Sequence, residues 1–173
     1  MKNKTIVINL IGGPGSGKST LAAGLFYELK KLGFNAEMSL EFAKDKVWEE
    51  SIRTLDDQIY IFGKQYHKLW RLNNKVDIII TDSPLLVSLY YNQIESKYFD
   101  NFVIEQFNRF NNVTYFIERD EENYQEEGRL QTFEEAKDID KKLIDILQKY
   151  DIKFTKINQK LALTEILNNI KNN

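Results

Sequence analysis

The segment NLIGGPGSGKST, residues 9–20, constrains the fold of this chain more than any other part of its sequence. It joins an apolar run rich in β-branched residues, 5–11, to a segment in which leucines recur at helical spacing, 21–32. The apolar run is typical of a strand buried on both faces of a parallel sheet, and Gly33 stands where a helix-terminating glycine is expected. The sequence therefore predicts a strand, a glycine-rich loop and a helix in direct succession.

Strands and helices alternate over the rest of the chain. Further strands are predicted at residues 36–41, 76–82, 113–118 and 152–157, with amphipathic helices between them. Such alternation requires crossover connections and gives an α/β fold, in which helices cover both faces of a mostly parallel, five-stranded sheet in three layers. No linker or repeat divides the sequence, so we expect a single domain over residues 1–173.

Three local patterns make finer predictions. Residues 55–72 form a helix whose apolar face carries Ile59, Phe62, Tyr66, Leu69 and Trp70. Ser83 and Pro84 suit the N-cap and the first position of another helix. The stretch TFEE, residues 132–135, predicts a capping box at the start of a later helix.

Composition excludes several classes of function. The chain has no cysteine, which removes disulfides, thiolate metal sites and cysteine nucleophiles. Its net charge of −2 and pI of about 5.6 do not favour a polyanionic partner. The only histidine, His67, has no second histidine with which to bind a metal, and we expect it on a helix surface. With no signal-peptide pattern and no apolar run long enough to span a bilayer, the expected location is cytoplasmic.

The glycine-rich loop also predicts a chemistry. Gly12, Gly17, Lys18 and Ser19 complete the pattern GxxxxGK[ST] between a buried strand and a helix, the context in which this P-loop (Walker A) motif binds phosphate. Backbone amides and the helix N-terminus would surround the phosphates, Lys18 would reach the β and γ phosphates, and Ser19 would ligate Mg²⁺. The predicted ligand is a nucleoside triphosphate. The residues expected to bind it are Gly12, Gly13, Gly15, Ser16, Gly17, Lys18, Ser19 and Thr20.

Two further patterns bear on the class of P-loop protein. The predicted strand ending in IIITDS supplies an acid for the magnesium side, Asp82, but Ser83 follows it instead of the water-activating glutamate of motor-type ATPases. The stretch NKVD, residues 74–77, matches the guanine-reading pattern of GTPases but precedes the strand that carries Asp82, whereas in GTPases the pattern follows a late strand. Both observations favour a phosphotransferase over a motor or a GTPase switch.

The polar stretch ERDEENYQEEGRLQT, residues 118–132, contains two of the five arginines of the chain, Arg119 and Arg129. A guanidinium group suits phosphate oxygens, and a segment after the fourth strand could close over the P-loop. We therefore expect a lid at about residues 119–132, which would exclude water, the competing phosphoryl acceptor. The alternative is a solvated acidic loop whose arginines pair with nearby glutamates.

The chain resembles the P-loop nucleoside and nucleotide kinases in three motifs. These are GGPGSGKST in the P-loop, TDSP at the end of the third strand and YQEEGR in the predicted lid. More narrowly, it is similar to small AAA-type ATP-binding proteins of large tailed phages, which are themselves similar to nicotinamide riboside kinase domains. The resemblance implies a sheet in kinase strand order, with the strand of Asp82 beside the P-loop strand. It also implies that Lys18 and Ser19 bind phosphate and magnesium, that Asp82 serves the metal, and that Arg119 and Arg129 act from the lid. If phage-encoded, the protein would work in the host cytoplasm.

Candidate residues for the acceptor side begin at the end of the second predicted strand. Glu41 is the candidate general base, because open parallel sheets bind ligands at the carboxyl ends of their strands; Asp82 is the other candidate, and Glu41 could instead be only a charge at a helix N-terminus. Arg53, Gln58 and Gln65 are candidate substrate-binding residues, since an amide group can read a base edge or a carboxamide. Alternatively, the glutamines face solvent.

The leading hypothesis is a magnesium-dependent kinase that moves the γ-phosphoryl group of ATP to a nucleoside, a nucleotide or a similar small hydroxyl acceptor. A second hypothesis is an ATP-dependent regulatory ATPase whose hydrolysis only switches its conformation. A third is a kinase that acts on a modified base or an end of DNA. Salt-dependent DNA binding would favour the third hypothesis.

Overall fold

The structure is a computed structural model of the 173-residue chain, and it describes residues 4–92, 94, 96–120 and 132–172. The first half contains β1 (Ile6–Ile11), α1 (Lys18–Lys31), β2 (Ala36–Ser39), α2 (Phe42–Trp48), a 3₁₀ helix (Ile52–Asp56), α3 (Gln58–Trp70) and β3 (Ile78–Thr81). The second half contains α4 (Val87–Tyr90), α5 (Lys97–Asn108), β4 (Asn111–Glu118), α6 (Phe133–Lys149), β5 (Thr155–Asn158) and α7 (Ala162–Lys171).

The five strands form one parallel sheet in the order β2-β3-β1-β4-β5. The central strand, β1, pairs with β3 on one side and with β4 on the other. The strand that leads into the P-loop therefore lies beside the strand that leads to Asp82, as the resemblance implied. The predicted α/β fold with a five-stranded parallel sheet in kinase order is confirmed.

Alternating side chains of β1 enter two apolar clusters, one on each face of the sheet. Val7 and Ile11 belong to the cluster formed with α3, α5 and α6, whereas Ile8 and Leu10 belong to the cluster formed with α1 and α7. All four side chains are at most 1% exposed. Burial on both faces explains why this strand is an apolar run interrupted only by Asn9, which is also buried.

The predicted helix at residues 55–72 differs from the structure in its start and in its buried face. A 3₁₀ helix comes first, and α3 begins at Gln58, where the Asp57 side chain accepts a hydrogen bond from the backbone N–H of Tyr60. Ile59 and Trp70, predicted on the apolar face, are 63% and 58% exposed. The prediction was right for Phe62 and Leu69, which are buried, but wrong for Ile59 and Trp70, because α3 turns the Gln65 amide toward Ser39 and Thr81 at the ends of β2 and β3.

Two helix starts were predicted, and one is confirmed. The capping box at Thr132 is present: its hydroxyl accepts a hydrogen bond from the Glu135 N–H at 3.3 Å, and the Glu135 carboxylate accepts one from the Thr132 N–H at 2.7 Å. Ser83 and Pro84 do not start a helix. The Ser83 N–H donates to the hydroxyl of Thr81, and Pro84 begins a turn that precedes α4. In the described part of the chain, no helix combines the length and the apolar character required to cross a bilayer.

Candidate functional site

The P-loop occupies the predicted place between β1 and α1. Gly15 and Gly17 have φ angles of 82° and 78°, a left-handed conformation that glycine adopts with little strain. Right-handed and left-handed residues in succession form backbone concavities that bind anions, and the N-terminus of α1 begins directly after Gly17. The loop therefore has the backbone conformation that phosphate binding requires.

Lys18, the first residue of α1, folds back over the loop. Its Nζ donates to the carbonyl oxygen of Gly13 at 2.9 Å and to Oγ of Ser16 at 3.4 Å. Burial lowers the pKa of Lys18, and three carboxylates oppose this shift, those of Glu41, Asp82 and Asp140. The lysine is thus held in the site by groups that a phosphate oxygen could replace as hydrogen-bond acceptors.

Asp82, which follows β3, connects the first turn of α1 with the segment after β2. Its Oδ2 accepts a hydrogen bond from Oγ of Ser19 at 2.6 Å, and its Oδ1 accepts one from the backbone N–H of Glu41 at 3.0 Å. The side chain is buried, with 4% of the residue exposed. A hydroxyl and a carboxylate in contact are oxygen donors of the kind that bind Mg²⁺ together with phosphate oxygens and water.

Glu41 lies at the carboxyl end of β2, as predicted, and is the N-cap residue of α2. Its side chain makes no capping hydrogen bond to that helix. Burial raises the pKa of Glu41, the negative charge of Asp82 adds to the shift, and the positive charge of Lys18 opposes it. The carboxylate therefore does not cap α2, and burial and its charged neighbours Asp82 and Lys18 set its pKa.

These side chains surround one cavity of about 150 Å³, here called the P-loop cavity. Its lining includes Gly13, Lys18, Glu41, Asp82 and Tyr91. Among the described residues, no group of three or more His, Asp or Glu side chains is arranged to hold a metal ion. Mg²⁺ in phosphoryl-transfer sites is commonly held by one or two protein oxygens and by the phosphates, so Ser19 and Asp82 fit that requirement.

Asp140, on α6, is a residue of the site that sequence reasoning missed. Its Oδ1 accepts a hydrogen bond from the backbone N–H of Gly13, and its Oδ2 accepts one from Arg119 Nη2 at 2.8 Å. Burial raises the pKa of Asp140, whereas the Gly13 N–H and the Arg119 guanidinium oppose the shift. One carboxylate therefore connects the P-loop to the end of β4. The only sequence signal was a charged residue beside Ile139, at the edge of the apolar face of α6.

Of the two arginines predicted for the lid, the structure describes only Arg119. Arg119 is 9% exposed and also donates from Nη2 to the carbonyl oxygen of Ala136 at 3.3 Å. It lies against the P-loop side of α6 together with Asp140. Arg129 and most of the predicted lid lie outside the described residues.

The three candidate acceptor-binding residues do not line the P-loop cavity. Arg53 is exposed on the 3₁₀ helix. Gln58 and Gln65 are buried, so the alternative that they face solvent was wrong. Gln65 Oε1 accepts a hydrogen bond from the backbone N–H of Phe42 at 3.1 Å, next to Glu41, and Gln58 Nε2 donates to the carbonyl oxygen of Leu55 at 2.7 Å.

Two further sequence features lie away from the site. In the NKVD stretch, the Asn74 N–H donates to the hydroxyl of Thr5, and the Asp77 carboxylate accepts from the N–H of Asn35. These contacts are at the amino ends of the strands, opposite to the P-loop. His67 stacks on Trp70 with 5.7 Å between ring centroids.

Gly13→Ala tests how closely α6 approaches the P-loop. A Cβ at Gly13 would lie 2.8 Å from the carbonyl oxygen of Ala136 and 2.8 Å from Asp140 Oδ1. Because the first of these atoms is backbone, α6 would have to shift, and we expect a loss of about 1–3 kcal/mol in the free energy of unfolding. Urea unfolding measures this loss.

Gly63→Ala is the matched control, because a Cβ at Gly63 in α3 meets nothing within 4 Å. Alanine is the better helix former by about 1 kcal/mol, so this variant should be slightly more stable than the parent. Equal stability of the two variants would contradict the close approach of α6.

Comparison with known proteins identifies a family and several similar folds. A family model described as an AAA domain matches residues 7–162. The solved structure of NadR protein in complex with NR has a TM-score of 0.62 and 18% identity over 88% of this chain, which spans only 45% of the NadR chain. Thymidylate kinase from Ehrlichia chaffeensis has a TM-score of 0.62 and 13% identity, with 96% of this chain and 98% of that chain covered.

A third similar structure is deoxyadenosine kinase from M. mycoides with bound dATP. Its TM-score is 0.53 at 19% identity, with 95% of this chain and 99% of that chain covered. A comparison with curated protein sequences gives no match. The narrower resemblance to phage proteins stays a prediction. Because the family model covers most of the sequence and the sheet has kinase strand order, the chain belongs to the AAA domain family and has the fold of a kinase-like P-loop NTPase.

Proposed function

We propose that this protein is a magnesium-dependent kinase that transfers the γ-phosphoryl group of ATP to a hydroxyl group of a nucleoside, a nucleotide or a similar small acceptor. The observation that carries the proposal is the meeting of Lys18, Glu41 and Asp82 around one cavity at the P-loop. Thymidylate kinase and deoxyadenosine kinase among the similar folds, and NadR in complex with NR, support an acceptor of this class.

The P-loop and its neighbours bind the phosphates of ATP in the proposed reaction. The loop amides bind the phosphate oxygens, and Lys18 exchanges the Gly13 carbonyl for an oxygen of the β or γ phosphate. Ser19 and Asp82 would hold Mg²⁺, which would supply neutralisation of the negative charge of the triphosphate. These residues bind and orient the triphosphate, and positioning together with charge neutralisation accounts for most of the catalysis.

Glu41 is the proposed base that acts on the acceptor hydroxyl. Both carboxylate oxygens of Asp82 already accept hydrogen bonds, from Ser19 and from the Glu41 N–H, which leaves Glu41 as the better candidate for the base. Glu41 takes the proton of the acceptor hydroxyl as the oxygen forms a bond to the γ phosphorus. The bond between that phosphorus and the bridging oxygen breaks, and ADP leaves with the electron pair.

Incubation of the protein with γ-labelled ATP, Mg²⁺ and a panel of acceptors tests the proposal directly. The panel contains nucleosides, nucleoside monophosphates, nicotinamide riboside and oligonucleotides. The expected result is a labelled small-molecule product and an ATP consumption that rises with the right acceptor. ATP consumption that no acceptor increases would instead favour the regulatory ATPase, and labelled oligonucleotide would favour the kinase acting on DNA.

Arg129→Ala tests the predicted lid. If Arg129 contacts the transferring group, its loss should lower the rate of transfer by about 10³-fold while ATP affinity changes little, because such an arginine acts on charge that develops in the transition state. Arg109→Ala is the matched control, since Arg109 is exposed and pairs with Glu105 at 2.8 Å. Equal losses of ATP binding and transfer in Arg129→Ala would count against a lid role.

A further inference from the structure

A second depression adjoins the P-loop cavity, between α4 and α6. It has a volume of about 520 Å³, within the range of small-molecule sites, and is here called the α4–α6 groove. Its lining residues are Leu89, Tyr90, Tyr91, Lys142, Asp145 and Ile146. The groove thus has an aromatic end and a charged face.

The aromatic end of the groove is shared with the P-loop cavity. Tyr90 and Tyr91 line both spaces, and their rings meet edge to face with 4.7 Å between centroids. Burial raises the pKa of Tyr91 to about 12, and the negative charge of Glu41 adds to that shift, so the phenol lies within electrostatic reach of Glu41. A molecule whose hydroxyl group meets Glu41 therefore has room to extend past Tyr91 into the groove.

The charged face of the groove is formed by two residues of α6. Lys142 and Asp145 are three positions apart, so they are neighbours on one helix face, and both are exposed. Within residues 4–92, 94, 96–120 and 132–172, neither side chain forms an ion pair or a hydrogen bond. An ammonium donor and a carboxylate acceptor are thus available side by side for a ligand.

We infer that the α4–α6 groove binds the phosphoryl acceptor and selects one whose flat ring presents an N–H donor beside a carbonyl acceptor, as in a lactam or a carboxamide. The inference rests on the proposed function, which places the acceptor hydroxyl at Glu41. The ring packs on Tyr91, its carbonyl oxygen accepts from Lys142, and its N–H donates to Asp145. An analogue without the N–H leaves the carboxylate of Asp145 without its hydrogen bond.

Inosine and purine riboside are the matched probes, because they share the ribose and the ring system but only inosine carries the N–H and carbonyl edge. Calorimetric titration of the full chain without ATP gives the dissociation constant of each. Inosine should bind at least about tenfold more tightly than purine riboside, since hydrogen bonds to charged groups are among the stronger ones.

The double variant Lys142→Met, Asp145→Leu should remove that difference, to less than about twofold, with ATP affinity unchanged. Lys141→Met is the control, because Lys141 is exposed on the same helix but does not line the groove. Equal binding of the two nucleosides to the parent, no binding of either while ATP binds, or a preference that persists in the double variant would overturn the inference.

The kinase proposal can fail separately from the groove. If the protein phosphorylates inosine and the double variant leaves KM unchanged, the kinase proposal stands and the groove inference falls. If inosine binds through Lys142 and Asp145 but no hydroxyl group is ever phosphorylated, the groove stands as a binding site and the kinase proposal falls.

Discussion

Lys18→Met should reduce phosphoryl transfer by at least about 10²–10³-fold, the usual cost of removing one preorganised donor from a site of developing negative charge. Nζ of Lys18 lies 2.9 Å from the carbonyl oxygen of Gly13 and 3.4 Å from Oγ of Ser16, both in the P-loop. Methionine keeps most of the aliphatic stem, so the packing of the first turn of α1 is retained. The measurement is the initial rate of labelled product formation at saturating ATP and Mg²⁺.

Lys31→Met is the control for Lys18→Met, because Lys31 belongs to the same helix but is exposed, and its ammonium contacts only surface groups of that helix, Glu28 across one turn and the Tyr27 ring, among the residues described. A surface pair of this kind contributes little to stability. The control should keep the parental rate. Parental turnover in Lys18→Met would remove the P-loop from the proposed mechanism.

The strand, loop and helix at the P-loop could be predicted because each depends on local sequence. Apart from Asn9, residues 6–11 are apolar on both faces of the strand, Gly15 and Gly17 supply left-handed backbone, and Gly33 follows the last helical residues with a φ of 87°. The capping box at Thr132 is local in the same way. Features whose partners lie within a few residues leave their pattern in the sequence.

The missed features depend on distant partners. Asp140 and Gly13 are 127 residues apart, and no local pattern shows that α6 brings a carboxylate to the loop. Gln65 is buried because Ser39 and Thr81, at the ends of two other strands, lie within 3.5 Å of its amide nitrogen. The spacing of apolar residues along α3 therefore predicted that Ile59 is buried, whereas it is exposed. The tertiary hydrogen bonds of Gln65 determine which face of α3 packs on the sheet.

The second large effect is expected for Glu41→Gln, which should lower transfer by about 10²–10⁴-fold, the usual contribution of a positioned general base. The glutamine keeps the shape of the side chain but accepts no proton. The substitution should lower the rate at saturating acceptor and leave the affinity for ATP unchanged. Glu37→Gln, in β2 four residues before Glu41 and with its carboxylate paired with Lys30 at 3.5 Å, should leave the rate unchanged.

The pH dependence separates a base from a merely structural carboxylate. The parental rate should rise with pH through the pKa of Glu41, which burial and Asp82 place above the ordinary glutamate value, and Glu41→Gln should lose that rise. If the rate of Glu41→Gln still rose with pH, a group other than Glu41 would be the base. Asp82→Asn should behave differently, because it removes an oxygen that accepts from Ser19 and should raise the Mg²⁺ concentration needed for half-maximal rate.

Glu41→Gln should lower activity without lowering the stability of the fold. Because the pKa of Glu41 is higher in the folded chain than in the unfolded chain, the folded state binds more protons between those two values, and the contribution of Glu41 to stability falls as pH rises through them. At neutral pH without nucleotide, Glu41→Gln should therefore unfold at a urea concentration equal to or higher than the parent. A lower midpoint at pH 7, with Glu37→Gln unchanged, would mean that the Glu41 charge stabilises the fold. The carboxylate would then serve the structure, and the assignment of Glu41 as the base would lose its physical support.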